Sequence, residues 1–157
     1  MKQVIFWGIF IISISLCGCS IKEHSVNEDN DYINNVSMEI ICCFDEKDID
    51  GLKSMFSLNS QNNFDLDIEI ENAFNKYDGK SISYTLSNIS WAGGKDNGKW
   101  IDRHFNPKIK NICTDKGMSY NIGFYLYEYD TSRIGIGAIS LQDSEGNEIA
   151  GIGGWAE

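Results

Sequence analysis

The amino-acid sequence predicts an α+β domain, with N-terminal helices packed on a curved antiparallel sheet and an export segment ahead of both. Three observations predict it. Apolar residues recur at three-to-four spacing up to about residue 78, the period of a helix with one buried face. From residue 81 the spacing changes to alternation, with turn signals between the runs. The first 16 residues hold a single charge, Lys2, followed by an uncharged and mainly apolar stretch from Val4 to Leu16.

The first helix is expected to carry Ile33, Val36, Ile40 and Phe44 on its buried stripe, to be capped by Asp31 and to end near the charged run 45–48. Asp48 caps a second, of two or three turns, holding Ile49, Leu52, Met55 and Phe56 until the polar stretch Asn59 to Asn63 breaks it. A third follows Asp65 with Leu66, Ile70, Ala73, Phe74 and Tyr77, and closes at Asp78-Gly79.

Residues 81–91 then read as a strand with Ile82, Tyr84 and Leu86 on one face and a register change before Ile89 and Trp91. Residues 92–98 read as a loop. The runs 99–114 and 118–130 flank Asp115-Lys116-Gly117, and the runs 133–142 and 148–156 flank Asp143 to Asn147, both pairs as hairpins. Ile122, Phe124 and Leu126 are expected to face the helices, with Tyr125, Tyr127 and Tyr129 on the other side. Pro107 suits a strand start or an edge.

The apolar stretch of 13 residues at the N-terminus falls short of the ~20 that a helix needs to cross hydrocarbon. Its tail, Leu16-Cys17-Gly18-Cys19, resembles the bacterial lipobox. The resemblance implies cleavage before Cys19 and a diacylglyceryl group on its thiol, with palmitate-like chains holding the protein on the outer face of the cell membrane. Cys17 is the poorer acceptor because it puts bulky Leu16 at the cut. The expected division is a lipoprotein signal peptide at 1–18, a lipidated N-terminus and flexible tether at 19–31, and one α+β domain at 32–157. His24 falls in the tether and reads as solvated.

The net charge of −10 becomes −11 without Lys2, with 23 acidic groups against 12 basic. Such a surface repels phosphate backbones, so nucleic acid is not an expected partner, and the membrane contact is expected from the anchor.

Four segments carry a family resemblance: FDEKDIDGLKSMFS, IEIENAFNKYDGKSISY, NICTDKGMSYNIGFYLYEYD and RIGIGAISLQD. From about Asp31 to Gly153 the chain resembles small lipoproteins, mostly of Gram-positive bacteria, that bear a domain-of-unknown-function label and a fold like nuclear transport factor two. The resemblance implies that cystatin-like fold and no reaction.

That fold also hosts enzymes with an Asp and a His in a cone-shaped pocket. Asp102 and His104 therefore stand as a candidate acid-base pair, two residues apart on one strand face beside Trp100. Against this, Lys99, Arg103 and Asn106 make the segment resemble a polar edge strand. Trp91, Trp100 and the Gly93-Gly94 loop are candidates to rim a ligand pocket, the alternative being core aromatics beside a glycine loop.

Cys42, Cys43 and Cys113 read as buried small hydrophobes, with a Cys43 bridge to Cys113, placed on the face of Ile109, left open. No cysteine or histidine pair has metal-ligand spacing, and no metal or cofactor is expected. The glycines at 135, 137, 151, 153 and 154 precede no helix as a phosphate loop would, and read as aids to curvature or close packing. Asp65, Asp67, Glu69 and Glu71 read as a solvated helix face.

Three functions stay open. The leading one is a surface-tethered module that takes a small ligand or a protein partner at the open end of its sheet. The second is an acid-base hydrolase or isomerase using Asp102 and His104. The third is a lipid-anchored immunity protein whose acidity suits a basic toxin.

Overall fold

The computed structural model describes residues 26–87, 90–128 and 133–154. Four helices, α1 (Val26–Glu46), α2 (Ile49–Ser54), α3 (Leu58–Asn63) and α4 (Leu66–Lys76), precede seven strands. These are β1 (Ser81–Leu86), β2 (Trp91–Asp96), β3 (Lys99–Phe105), β4 (Lys108–Thr114), β5 (Ser119–Tyr127), β6 (Gly135–Asp143) and β7 (Glu148–Gly153). All seven belong to one curved antiparallel sheet, so the α+β expectation holds.

The sheet is a meander of five long runs. Strands β3 and β4 share one side of β5, Phe105 opposite Leu126 and Lys108 opposite Gly123, with Asn106-Pro107 as the bend. Proline has no N–H to give a ladder, and it sits here just ahead of β4. Strands β2 and β1 continue the next run outward against β3 and β4. On the far side β6 and then β7 complete the order.

The expected helical stripe of α1 is buried: Ile33, Val36, Ile40 and Phe44 all lie in the core. The helix starts at Val26, however, so Asp31 lies within it and does not cap it, and the tether cannot extend to residue 31. Asp29 gives the physical reason, because its carboxylate pairs with Arg103 on β3 and anchors an extra turn.

The region read as one helix followed by a break is two short helices. Ser57 caps α3, its hydroxyl accepting from the Ser60 N–H at 3.1 Å. Between them Met55 to Ser57 leave the helical path to bond the sheet, Ser57 N–H donating to Ile136 O and Ile136 N–H to Met55 O, each at 2.9 Å. That close approach needs Gly135, which has φ +113° and whose missing Cβ would come within 3.0 Å of backbone atoms of Met55 and Ser57. Helix α4 matches its expected span, with Asp65 as cap and Leu66, Ile70, Ala73 and Phe74 buried.

Residues 92–98 are also corrected: most of them form β2, and only Asn97-Gly98 turn, both with positive φ. Gly93 hides the strand from a pattern search. A Cβ there would clash with the carbonyl oxygen of Asp102, so no side chain can mark the alternation.

On β5, Ile122, Phe124 and Leu126 enter the core as expected. Tyr125 and Tyr127 lie on the other face, and Tyr129 and Ile89 lie outside the described residues. On β1, Ile82 and Tyr84 are exposed and only Leu86 packs against the core, because β1 is an outer strand. Among the described residues no helix is long and apolar enough to cross a membrane.

Candidate functional site

A cleft of about 540 Å³ opens between α1, the end of α2 and the facing ends of β5 and β6. Tyr32, Val36, Met55, Leu126 and Ile136 supply apolar walls, while Asn35, Glu39 and Ser54 bring polar groups to the mouth. Leu126 and Ile136 form its buried floor, and a concave surface with a few polar groups at its rim is the default candidate for a small-molecule site. Sequence reasoning missed it, since its walls come from four elements spread along the chain from Tyr32 to Ile136 and no local pattern joins them.

The paired candidates Asp102 and His104 share the outer face of the sheet, away from this cleft. Their Oδ1 and Nδ1 atoms are 3.7 Å apart, both buried and without a hydrogen bond. His104 stacks on Tyr125 with ring centres 4.9 Å apart and contacts Tyr127 at 5.7 Å. A shallow hollow of about 250 Å³ lies over them, lined by Ser90, Trp91, Ala92, His104, Asn106 and Tyr125.

The strand that carries them is not an edge. Strand β3 runs between β2 and β5, and Arg103 points inward with its side chain only 6% exposed. Its guanidinium binds both Asp29 carboxylate oxygens and Glu128 Oε2, the last at 3.0 Å. Phe105, Trp100 and Trp91 pack their rings around it at 4.8, 5.2 and 5.7 Å. The sequence did hold a signal for this: Arg103 alternates with buried Phe105, so the two share an inward face.

A bulge corrects the position of Trp100. Gly94 faces Asp102 but Lys95 faces Trp100, which leaves Ile101 as the extra residue. Trp100 therefore lies against Trp91, at 5.2 Å and edge to face, and not beside Asp102 and His104. Trp91 lines the shallow hollow and stays 55% exposed.

Cys42 is exposed, Cys43 buried and Cys113 intermediate, and all three thiols are free. A second bulge at Lys110-Asn111 brings Ile109 and Ile112 to the same buried face, so Cys113 does not share the face of Ile109. Burial above all, with Asp48 next, pushes the Cys43 thiol up to about 11. Since the thiolate is the reactive form, iodoacetamide at pH 8 is expected to label Cys42 and leave Cys43 intact until the chain is unfolded. Peptide mapping by mass spectrometry checks this, and equal labelling of both would contradict the burial.

Among the described residues no three His, Cys, Asp or Glu side chains gather as a metal site. The acidic face of α4 is solvated as expected, with Asp67 60% exposed although paired with Lys53 at 2.8 Å, while Glu69 also accepts from the Gly153 N–H at 2.7 Å. Close packing also explains the late glycines, Gly137 beneath the Tyr127 ring and Gly154 beneath the Phe64 ring. Cys19, and with it the expected signal peptide, lies outside the described residues.

A family model described as a domain of unknown function, DUF5104, matches residues 39–144, more than half of the chain. The chain belongs to this family. The DUF5104 span takes in Trp91, Trp100, Asp102, Arg103 and His104, together with Met55, Leu126 and Ile136 of the cleft. It begins within α1, leaving Asp29 and Tyr32 before it, and ends between β6 and β7. No curated protein matches the chain.

Proposed function

We propose that this DUF5104 protein is a lipid-anchored extracytoplasmic binding module. In this reading residues 1–18 are removed as a signal peptide, Cys19 carries the lipid, and the rest of the chain binds a small molecule between α1 and the sheet. The cleft of about 540 Å³ is the observation that carries the binding half. The sequence Leu16-Cys17-Gly18-Cys19 supports the anchor. Helices followed by a curved meander are consistent with a fold like nuclear transport factor two, in which the open end of the sheet is the natural place for a ligand.

A second reading, an acid-base enzyme, draws on the 3.7 Å approach of Asp102 and His104. A shift of under 1 Å closes that gap to a hydrogen bond. The pair lies on the outer face, where only His104 lines a hollow less than half the size of the cleft, which leaves a substrate little shelter from water. Binding in the cleft is the better-supported function.

Native mass spectrometry of the protein expressed from its full sequence and isolated from membranes tests the proposal. The expected result is an acyl mass at Cys19 together with a bound small molecule. Cys19→Ser is expected to abolish the acyl mass and release the chain from the membrane fraction. Ser54→Trp, at the exposed mouth of the cleft, is expected to keep the acyl mass and lose the small molecule. A Cys19→Ser chain that is still processed and retained refutes the anchor, and a Ser54→Trp chain that keeps its ligand refutes the cleft.

A further inference from the structure

The cleft between α1 and the sheet does not end at Ser54 and Met55. A second hollow of about 230 Å³, lined by Glu39, Cys42, Cys43, Gly51, Ser54 and Met55, continues it between α1 and α2. The two share Glu39, Ser54 and Met55, so they meet at the Glu39 side chain. Among the described residues Glu39 is the only charged group lining either one. No cation of the described residues pairs with it.

The elements around it do not offset that charge. Glu28, Asp29, Asp31, Glu39, Asp45 and Glu46 all lie on α1, which has no Lys, Arg or His. Cations reach only the two ends of this helix, Arg103 to Asp29 and Lys80 to Glu46. Lys53, the one base of α2, is engaged by Asp67 of α4, and Lys47 donates to Phe74 O and Tyr77 O. The Cys43 thiol feels the same imbalance, since after burial Asp48, Cys42 and Glu39 all push its pKa up. A concave surface whose charges have one sign concentrates ions of the other.

The polarity of the cleft is also ordered from floor to mouth. Leu126 and Ile136 are fully buried at the bottom, while Glu39 is exposed at the rim. An apolar body loses its water against that floor. A cationic head beside Glu39 keeps part of its hydration and escapes the cost of burying a charge. An anionic head meets only repulsion there. A lone carboxylate is too small a ligand set for a metal ion, and among the described residues no metal-binding cluster gathers.

We infer that the cleft selects small organic cations, seating an apolar body on Leu126 and Ile136 and an ammonium group at Glu39. Asn35 and Ser54 stand at the same mouth to hydrogen-bond polar groups next to the cation. This inference rests on the cleft being the ligand site, and the experiment reads the two separately.

The protein expressed from its full sequence is placed in neutral phosphatidylcholine vesicles, with protein-free vesicles as the blank. Hexyltrimethylammonium, hexanol and hexanesulfonate share one apolar chain and differ in the charge of the head. Isothermal titration calorimetry reads their binding, and the rate of iodoacetamide labelling at Cys42, in the adjoining hollow, reads where the head lies. The cation is expected to bind about fivefold more tightly than the alcohol, the upper worth of an exposed ion pair, with the sulfonate weakest. Only the cation is expected to slow Cys42 labelling. Glu39→Gln, at an exposed position that leaves the fold intact by circular dichroism, is expected to bring the cation down to the affinity of the alcohol. Equal binding of all three probes, lost in Ser54→Trp, overturns the selection of cations while the cleft stands. A preference for the cation that survives Glu39→Gln overturns the inference in the same way. Absence of binding by every probe, or binding by Ser54→Trp equal to the parent, overturns the cleft and the inference with it.

Discussion

Replacing Arg103 with alanine is expected to destabilise the domain by about 3–5 kcal/mol, because it leaves two carboxylates buried without their cation. The side chains of Arg103, Asp29 and Glu128 are 6%, 9% and 10% exposed, so solvent does little to screen them. The guanidinium forms two bonds to Asp29 and one to Glu128, and three aromatic rings close over it. Its loss sets Asp29 against Glu128 and at the same time unties the first turn of α1 from the sheet. Urea unfolding followed by circular dichroism measures the change.

A companion variant separates charge from packing. Arg103→Met combined with Asp29→Leu and Glu128→Leu removes all three charges and restores apolar volume, and it is expected to recover most of the lost stability. An Arg103→Ala protein within about 0.5 kcal/mol of the parent, the usual range for a surface change, would show that the triad is not buried in solution.

Much of the architecture was legible because it is written in local periods. The stripe of Ile33, Val36, Ile40 and Phe44, the alternation of Ile122, Phe124 and Leu126, and the turns at Lys116-Gly117 and Asp143 to Asn147 each need only neighbouring residues to be recognised. Apart from helix α3, the features that escaped depend on contacts across the chain. Strand β2 was hidden by Gly93, whose bare Cα is required by the carbonyl of Asp102. Arg103 passed for an edge residue because charge outweighed its alternation with Phe105, and the bulge at Ile101 reversed the side taken by Trp100. Helix α3 was masked by its asparagines, although Ser57 was available to cap it. The cleft had no signature, because Tyr32, Met55, Leu126 and Ile136 meet only once the sheet has curved over α1.

The other large effect is expected from Phe44→Ala, a loss of about 3–5 kcal/mol from the emptied aromatic volume. Phe44 is fully buried, and its ring meets Phe74 edge-on at 5.1 Å and Tyr77 at 5.3 Å. Tyr77 in turn lies 4.9 Å from Tyr120 of β5, so one column of rings joins α1, α4 and the sheet. Polar bonds hold both ends of that column and limit its collapse around a void. The Tyr77 hydroxyl donates to Asp45 Oδ1 at 3.1 Å, and burial first, then Asp45, pushes its pKa up, so it remains a donor. The Tyr120 hydroxyl donates to Lys76 O and accepts from the Asp78 N–H, each at 3.1 Å. Lys47, whose pKa burial lowers, caps the end of α4 by donating to Phe74 O and Tyr77 O. With its walls fixed in this way the cavity stays open, and the cost falls toward the upper part of the range. Met38→Ala on the exposed side of the same helix, where the side chain is 54% exposed, is expected to change stability by less than about 0.5 kcal/mol. Thermal unfolding of the two variants side by side decides the matter, and equal effects would mean that α1 presents a different face to the sheet.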